Sequence, residues 1–174
     1  MDGYVLAKIV QKIGEVDARK RLQKVIFLLE TKTKTDLAGD YTLHLYGPYS
    51  RGVADETDRL VQGDILSEER QAVPWGTQYS YKLAEHGTEA IREFEDDPAN
   101  ADSKEFAEEI AEQAKMLAEN DLWHLELAST MAYFRKIKSC NWEDAVQKAA
   151  EFKRVDAKAP VLEDARKLAQ EWCD

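Results

Sequence analysis

Residues 65–83 read ILSEERQAVPWGTQYSYKL, and the pattern of this stretch decides which fold the chain can adopt. The stretch opens on two apolar residues and closes on Tyr79, Tyr81 and Leu83, which alternate with polar residues. Such alternation is typical of a strand with one buried face, and the Pro-Trp-Gly sequence in the middle is typical of a loop. We therefore predict a two-stranded antiparallel hairpin here.

Three helices are predicted before this hairpin. Apolar residues recur with helical spacing over residues 4–13, which are followed by a glycine. Asp17 is placed to cap a second helix, and Ser50 is placed to cap a third helix that ends near Gln62. The apolar stripe of the second helix consists of Leu22, Val25, Ile26 and Leu29.

Between the second and third helices the period changes from helical to alternating. Tyr41, Leu43 and Leu45 share one side of a predicted strand, which ends at a Gly-Pro pair. The order helix, helix, strand, helix, hairpin predicts a winged-helix-like domain over residues 1–95, with the hairpin as its wing.

The second half of the chain reads as helices only. After a helix that Thr88 is placed to cap, residues 96–102 form an acidic linker that contains a proline. Residues 103–174 form the predicted C-terminal helical region, packed on the first domain. Its helices are expected to start at Ser103, Asp121, Asn141 and Pro160. The predicted fold class is mainly α (α+β).

The charge balance restricts the partners of the chain. Its formal net charge is −10, which repels polyanions and argues against indiscriminate binding to nucleic acids or anionic membranes. Residues 1–87 carry −1 and residues 88–174 carry −9. Residues 8–34 reverse this sign, with 8 basic against 3 acidic side chains, so the first two helices are the plausible polyanion-facing stretch.

The sequence predicts a cytoplasmic protein with no membrane partner. It has no leader pattern and no apolar run near the roughly 18 residues of a membrane helix. Its two cysteines, Cys140 and Cys173, are expected to remain thiols in a reducing compartment.

Three stretches carry a resemblance to a known family. They are LQKVIFLL at residues 22–29, YGPYS at residues 46–50 and LVQGDIL at residues 60–66. In this order they resemble the YwgA-like family of uncharacterised bacterial and archaeal proteins. The LQK helix and the GP turn also resemble the Panacea domain group, which is found in antitoxins and in a proteolytic adaptor. The resemblance implies a winged-helix-like fold and an antitoxin-like or adaptor-like role, and it supplies no catalytic residues.

Catalytic chemistry is not expected from the residues present. The three histidines, His44, His86 and His124, fall in three separate predicted elements. The sequence contains no HExxH, no CxxC, no phosphate-binding glycine-rich loop and no nucleophile elbow. We therefore predict a protein without catalytic residues, metal ligands or a cofactor.

DNA is the first of two partners that the sequence leaves open. The third helix and the wing supply donors for bases and phosphates, but Asp55, Glu56 and Asp58 in the same helix oppose insertion into the major groove. A homodimer would supply two half-sites. The candidate nucleic-acid-binding residues are Arg19, Lys20, Lys24, Arg51, Arg59, Arg70, Gln78 and Lys82.

A protein partner is the second and leading hypothesis. Tyr49, Trp75 and Trp123 are its candidate contact residues, since tyrosine and tryptophan are enriched in interfaces. The expected function is a non-enzymatic regulatory or protein-interaction module on a winged-helix scaffold, and the alternative is a sequence-specific DNA-binding transcriptional regulator.

Overall fold

Helices make up most of the chain, and short antiparallel strands accompany them, which confirms the predicted mainly α (α+β) class. The computed structural model describes residues 1–74 and 76–173. Its helices are α1 (Gly3–Ile13), α2 (Arg19–Thr33), α3 (Arg51–Gln62), α4 (Glu85–Asp96), α5 (Ala101–Ala118), α6 (Leu122–Lys136), α7 (Trp142–Lys153) and α8 (Pro160–Glu171). Its strands are β1 (Glu15–Val16), β2 (Thr42–His44), β3 (Gly47–Tyr49), β4 (Leu66–Val73) and β5 (Gly76–Leu83). Each described helix is too short or too polar to cross a membrane.

The chain folds into two compact units, and each combines segments that are distant in sequence. The first unit is Met1–Leu22 with Arg51–Glu119, and the second is Gln23–Ser50 with Asn120–Asp174. The predicted division followed sequence order and placed its boundary at residues 96–102. The observed units differ because α5 packs on α1 within the first unit, while β3 packs on α6 within the second. Packing between distant elements leaves no trace in local periodicity.

The predicted hairpin is present in the first unit as β4 and β5. Its antiparallel register runs from Leu66 opposite Leu83 to Val73 opposite Gly76. Strand β1 pairs with the other side of β5 and completes a three-stranded sheet in the order β1-β5-β4. Two residues are too few to show an alternating pattern, so β1 was not predicted.

The core of the first unit lies between α1 and the elements around it. Leu6, Ile9 and Val10 of α1 are fully buried, and α5 brings small residues such as Ala107 against them. Helix α4 begins next to the backbone of Ile65. A Cβ atom at Gly87 would lie 2.9 Å from the carbonyl carbon of Ile65 and closer still to its oxygen, so this position requires glycine.

The second unit is built around α6, which packs on α7, α8 and β3. Strand β3 pairs with β2 in a two-stranded ribbon. The sequence prediction took the Gly-Pro pair as the end of a strand, whereas Gly47 and Pro48 begin β3. The side chain of Asp121 caps α6 and that of Asn141 caps α7, as predicted, and Pro160 is the first residue of α8. Cys140 and Cys173 are buried and are not joined in a disulfide.

Two predicted helix starts and the predicted linker are corrected by the structure. Helix α4 begins at Glu85 rather than after Thr88, and α5 begins at Ala101 rather than after Ser103. Residues 96–102 are not an irregular linker. They contain a single 3-10 turn, in which the Ala99 amide donates to the Asp97 side chain, so helical structure is almost continuous there.

Candidate partner-binding site

Three large apolar side chains of the second unit are exposed, two in the turn that joins β2 to β3 and one at the start of α6. Leu45 and Tyr46 form the turn between β2 and β3 and are 72% and 53% exposed, and Trp123 in the first turn of α6 is 40% exposed. The Nζ atom of Lys153 lies 3.2 Å from the carbonyl oxygen of Leu45 and 5.6 Å from the centroid of the Trp123 ring. Lys153 therefore links the turn to Trp123, and we call Leu45, Tyr46 and Trp123 the turn surface.

A buried ion pair lies beneath the turn surface. Lys153 Nζ is 2.9 Å from Glu126 Oε2, and the two side chains are only 4% and 3% exposed. Removing both charges from water is costly, so such a pair is stable only where geometry and further hydrogen bonds compensate. The hydrogen bond that Lys153 donates to the Leu45 carbonyl oxygen is one of these. The pair thereby fixes the turn against α6.

Gly47 allows the turn to approach α6 this closely. Its φ of +100° lies in the region that favours glycine. A Cβ atom there would lie 2.9 Å from Thr130 Oγ1 and 3.6 Å from the carbonyl oxygen of Glu126. Both the backbone conformation and the missing side chain are therefore required at this position.

Lys24 and the adjacent Gln23 anchor β3 from α2. The sequence prediction placed Lys24 on the polar side of this helix as a phosphate contact. This placement is wrong, because Lys24 is buried and its Nζ donates to the Pro48 carbonyl oxygen at 2.7 Å. The Gln23 side chain also donates to the Ser50 carbonyl oxygen and accepts from the Ser50 amide, at 3.0 and 2.8 Å.

Most of the other predicted nucleic-acid-binding cations form ion pairs within the first unit. Arg51 pairs with Asp55, and Arg59 pairs with Glu56, one helical turn away in each case. Lys82 lies 3.2 Å from Glu15. Two further candidates are Lys20, which is half-buried in α2, and the uncharged Gln78, which lies opposite Gln71 in the hairpin.

Arg19 and Arg70, also predicted to contact phosphates, converge on one buried carboxylate. Arg19 Nη2 is 2.7 Å from Glu68 Oε2, and Arg70 Nε is 2.9 Å from Glu68 Oε1. The Tyr81 hydroxyl donates to Glu68 at 2.8 Å. Burial alone would raise the pKa of Glu68, but the hydrogen bonds from Arg19, Tyr81 and Arg70 outweigh it and lower that pKa. The ionised Glu68 thus holds the hairpin to the start of α2.

The acidic charge belongs to one of the two units. The first unit carries 12 Lys and Arg against 21 Asp and Glu, a net charge of −9, whereas the second carries 12 against 13, a net charge of −1. The hairpin and α3, which would face DNA under the alternative of a DNA-binding regulator, therefore belong to the strongly acidic unit. This distribution disfavours contact with a polyanion.

The other candidate residues have ordinary structural contacts. Tyr49 is half-buried and stacks on His44, with ring centroids 4.5 Å apart, and so lies on the same ribbon as the turn surface. Trp75 lies outside the described residues. His124 pairs with Asp121 at 3.3 Å. Across residues 1–74 and 76–173, no group of three histidine, cysteine or acidic side chains could hold a metal ion.

Comparison with known proteins gives one informative similarity. The chain is 29% identical over 129 residues to the uncharacterized protein YwgA of Bacillus subtilis strain 168, which covers 74% of this chain and 72% of that protein. No protein-family model matches the chain. The similarity supports the resemblance to a YwgA-like family and lends no support to a relation with the Panacea group. Over about three-quarters of its length, the chain is similar to a YwgA-like protein.

Proposed function

We propose that the chain is a non-enzymatic protein-interaction module that binds a partner protein through the turn surface. The observation that carries this proposal is the exposure of Leu45, Tyr46 and Trp123 above the buried pair of Lys153 and Glu126. Aromatic residues dominate the binding energy of many interfaces. An antitoxin-like or adaptor-like regulatory role is the class of function that the sequence resemblance to the Panacea group alone implies.

Preorganisation supports the same proposal. A complex is weaker when binding must order loops and side chains. Each immobilised side chain makes the binding free energy less favourable by about 0.5–1.5 kcal/mol. Here the backbone of Leu45 is already bonded to Lys153, and Gly47 holds the turn against α6. The turn is therefore fixed before a partner arrives, while its two side chains stay exposed.

We further propose that the first unit is the winged-helix-like part of this scaffold. Within this unit the order α1, β1, the first turn of α2, α3, β4, β5 and the sheet order β1-β5-β4 support the assignment. The wing would be the β4–β5 hairpin. Glu68 of the hairpin holds both Arg70 of the hairpin and Arg19 of α2, so we assign the hairpin a structural role rather than DNA contact.

Polar replacement of the turn surface tests the proposed function. The double variant Leu45→Ser/Tyr46→Ser is expected to bind the partner at least about 30-fold more weakly, since hot-spot residues contribute about 2 kcal/mol or more. The partner would be captured with the wild-type chain, identified, purified and titrated by calorimetry. Analytical ultracentrifugation would detect a second copy of the chain as the partner.

A matched control is Met116→Ser, which removes a similarly exposed apolar side chain from the first unit. This variant should bind as tightly as the wild type, and both variants should keep the wild-type unfolding midpoint. Equal affinity of the double variant and the wild type would reject the turn surface as the binding site.

A DNA-binding experiment separates this proposal from the alternative of a DNA-binding regulator. We expect no measurable binding of a labelled mixed-sequence duplex in fluorescence anisotropy at low salt, because the first unit carries −9 and its candidate arginines are paired. The regulator would instead be supported if the duplex bound and the logarithm of its binding constant fell with the logarithm of the salt concentration with a slope of about −3.6. This slope is the value for about four phosphate contacts.

A further inference from the structure

A cavity of about 350 Å³ opens in the second unit, away from the residues of the turn surface. One face of α2 supplies Phe27, Glu30 and Thr31, and Lys34 follows directly after the end of this helix. The segment before β2 and the end of α6 complete the lining with Gly39, Asp40, Tyr41, Lys136 and Ile137. This volume falls within the range of about 300–1,000 Å³ that is usual for small-molecule sites.

The carboxylates of this lining already accept hydrogen bonds from the protein. Glu30 Oε2 accepts from the amides of Leu37 and Ala38, at 3.2 and 2.9 Å. Asp40 Oδ1 accepts from the Ser50 hydroxyl at 3.2 Å. Both negative charges therefore have donors within the second unit.

Three side-chain donors of the lining have no acceptor within the described part of the protein. The ammonium groups of Lys34 and Lys136 are exposed and form no hydrogen bond or ion pair with any described residue. The hydroxyl of Tyr41 is buried and likewise has no partner in the described part of the chain. Burial, with the nearby Glu30 and Asp40 carboxylates, raises the pKa of Tyr41, so its hydroxyl remains a donor. The open polar positions around the cavity are thus donors rather than acceptors.

We infer that this cavity binds a small organic anion, a carboxylate attached to a flat apolar body. The carboxylate would lie between the ammonium groups of Lys34 and Lys136, because charge-assisted hydrogen bonds are the strongest that these side chains can form. The apolar body would lie against Phe27, Tyr41 and Ile137, the last of which is exposed although large and apolar. Glu30 and Asp40 restrict the anionic end to the lysine side of the cavity.

Three probes of one shape and different charge test this inference. They are 3-phenylpropionate, 3-phenylpropanamide and 3-phenylpropylamine, each titrated into the ¹⁵N-labelled full chain and followed by two-dimensional NMR. The carboxylate is expected to shift the amide signals of Gly39 and Ile137 in a saturable manner. It should bind about tenfold more tightly than the amide, which corresponds to two partly solvated charge-assisted contacts.

Removal of the two lysine charges is the decisive comparison. Lys34→Gln/Lys136→Gln should weaken carboxylate binding about tenfold and leave amide binding unchanged. Lys167→Gln, which removes a lysine that does not line the cavity, should change neither. Signals outside the lining report whether each variant is folded. Tighter binding of the amine than of the carboxylate, carboxylate affinity unchanged in the double variant, or no saturable shift at Gly39 and Ile137 would each overturn the inference.

Discussion

Lys153→Met is expected to lower the free energy of unfolding of the second unit by about 3 kcal/mol, the usual range for breaking a buried ion pair being about 3–5 kcal/mol. The substitution leaves the Glu126 carboxylate, 3% exposed, without the ammonium group that lies 2.9 Å away. It also removes a donor from the Leu45 carbonyl oxygen. Trp123, Trp142 and Trp172 belong to the second unit, so tryptophan fluorescence during urea unfolding follows mainly this unit.

Two further variants show whether the loss of stability comes from breaking the buried pair or from removing any lysine. Lys167→Met breaks an exposed pair with Asp164 and should change the free energy of unfolding by less than about 1 kcal/mol. The double variant Lys153→Met/Glu126→Leu should recover most of the lost stability, because it removes the buried Glu126 carboxylate as well. A Lys153→Met chain as stable as the Lys167→Met chain would show that the buried pair contributes nothing.

Gly87→Ala is expected to destabilise the first unit by about 3 kcal/mol, at the upper end of the usual cost of overpacking. The added methyl group would collide with the carbonyl group of Ile65, whose oxygen accepts a hydrogen bond from the Ala84 amide. The direction of this change in stability is informative, because at an ordinary position within a helix alanine is more stabilising than glycine by about 1 kcal/mol. Native-state hydrogen exchange of the α1 and β5 amides would measure the loss.

Gly63→Ala is the matched control for this substitution. Its added methyl group would meet the Arg59 carbonyl oxygen at 3.4 Å, an ordinary contact, so its effect should stay within about 0.5 kcal/mol. If the α1 and β5 amides exchanged as slowly in the Gly87→Ala chain as in the Gly63→Ala chain, then α4 would not depend on its close approach to Ile65.

The elements predicted correctly from the sequence are those with local signals. In the β4–β5 hairpin, Tyr79, Tyr81 and Leu83 alternate with polar residues, and Asp121 and Asn141 are capping residues placed directly before apolar stripes. The elements that were not predicted, β1 and β3, have two and three residues and exist through their partners. Strand β3 depends on Gln23 and Lys24, more than 20 residues earlier.

The candidate site could be predicted only in part, for the same reason. Trp123 was expected to contact a partner and is exposed. Leu45 was placed within a strand, on the same side as Tyr41 and Leu43, but β2 ends at His44 and Leu45 lies in the turn. Ion pairs such as that of Arg19 with Glu68, 49 residues apart, form through the fold. No spacing in the sequence indicates them, so these arginines were expected to be available for phosphate.

The buried pair of Lys153 and Glu126 separates two tasks that a binding loop often combines. The geometry of the turn depends on the backbone of Gly47 and on the buried side chains of Lys153 and Glu126. The chemistry offered outward depends on Leu45 and Tyr46, whose side chains are exposed. Mutations at these two outer positions can therefore accumulate during evolution with little penalty in folding. A lineage could change its binding specificity in this way while inheriting the same framework.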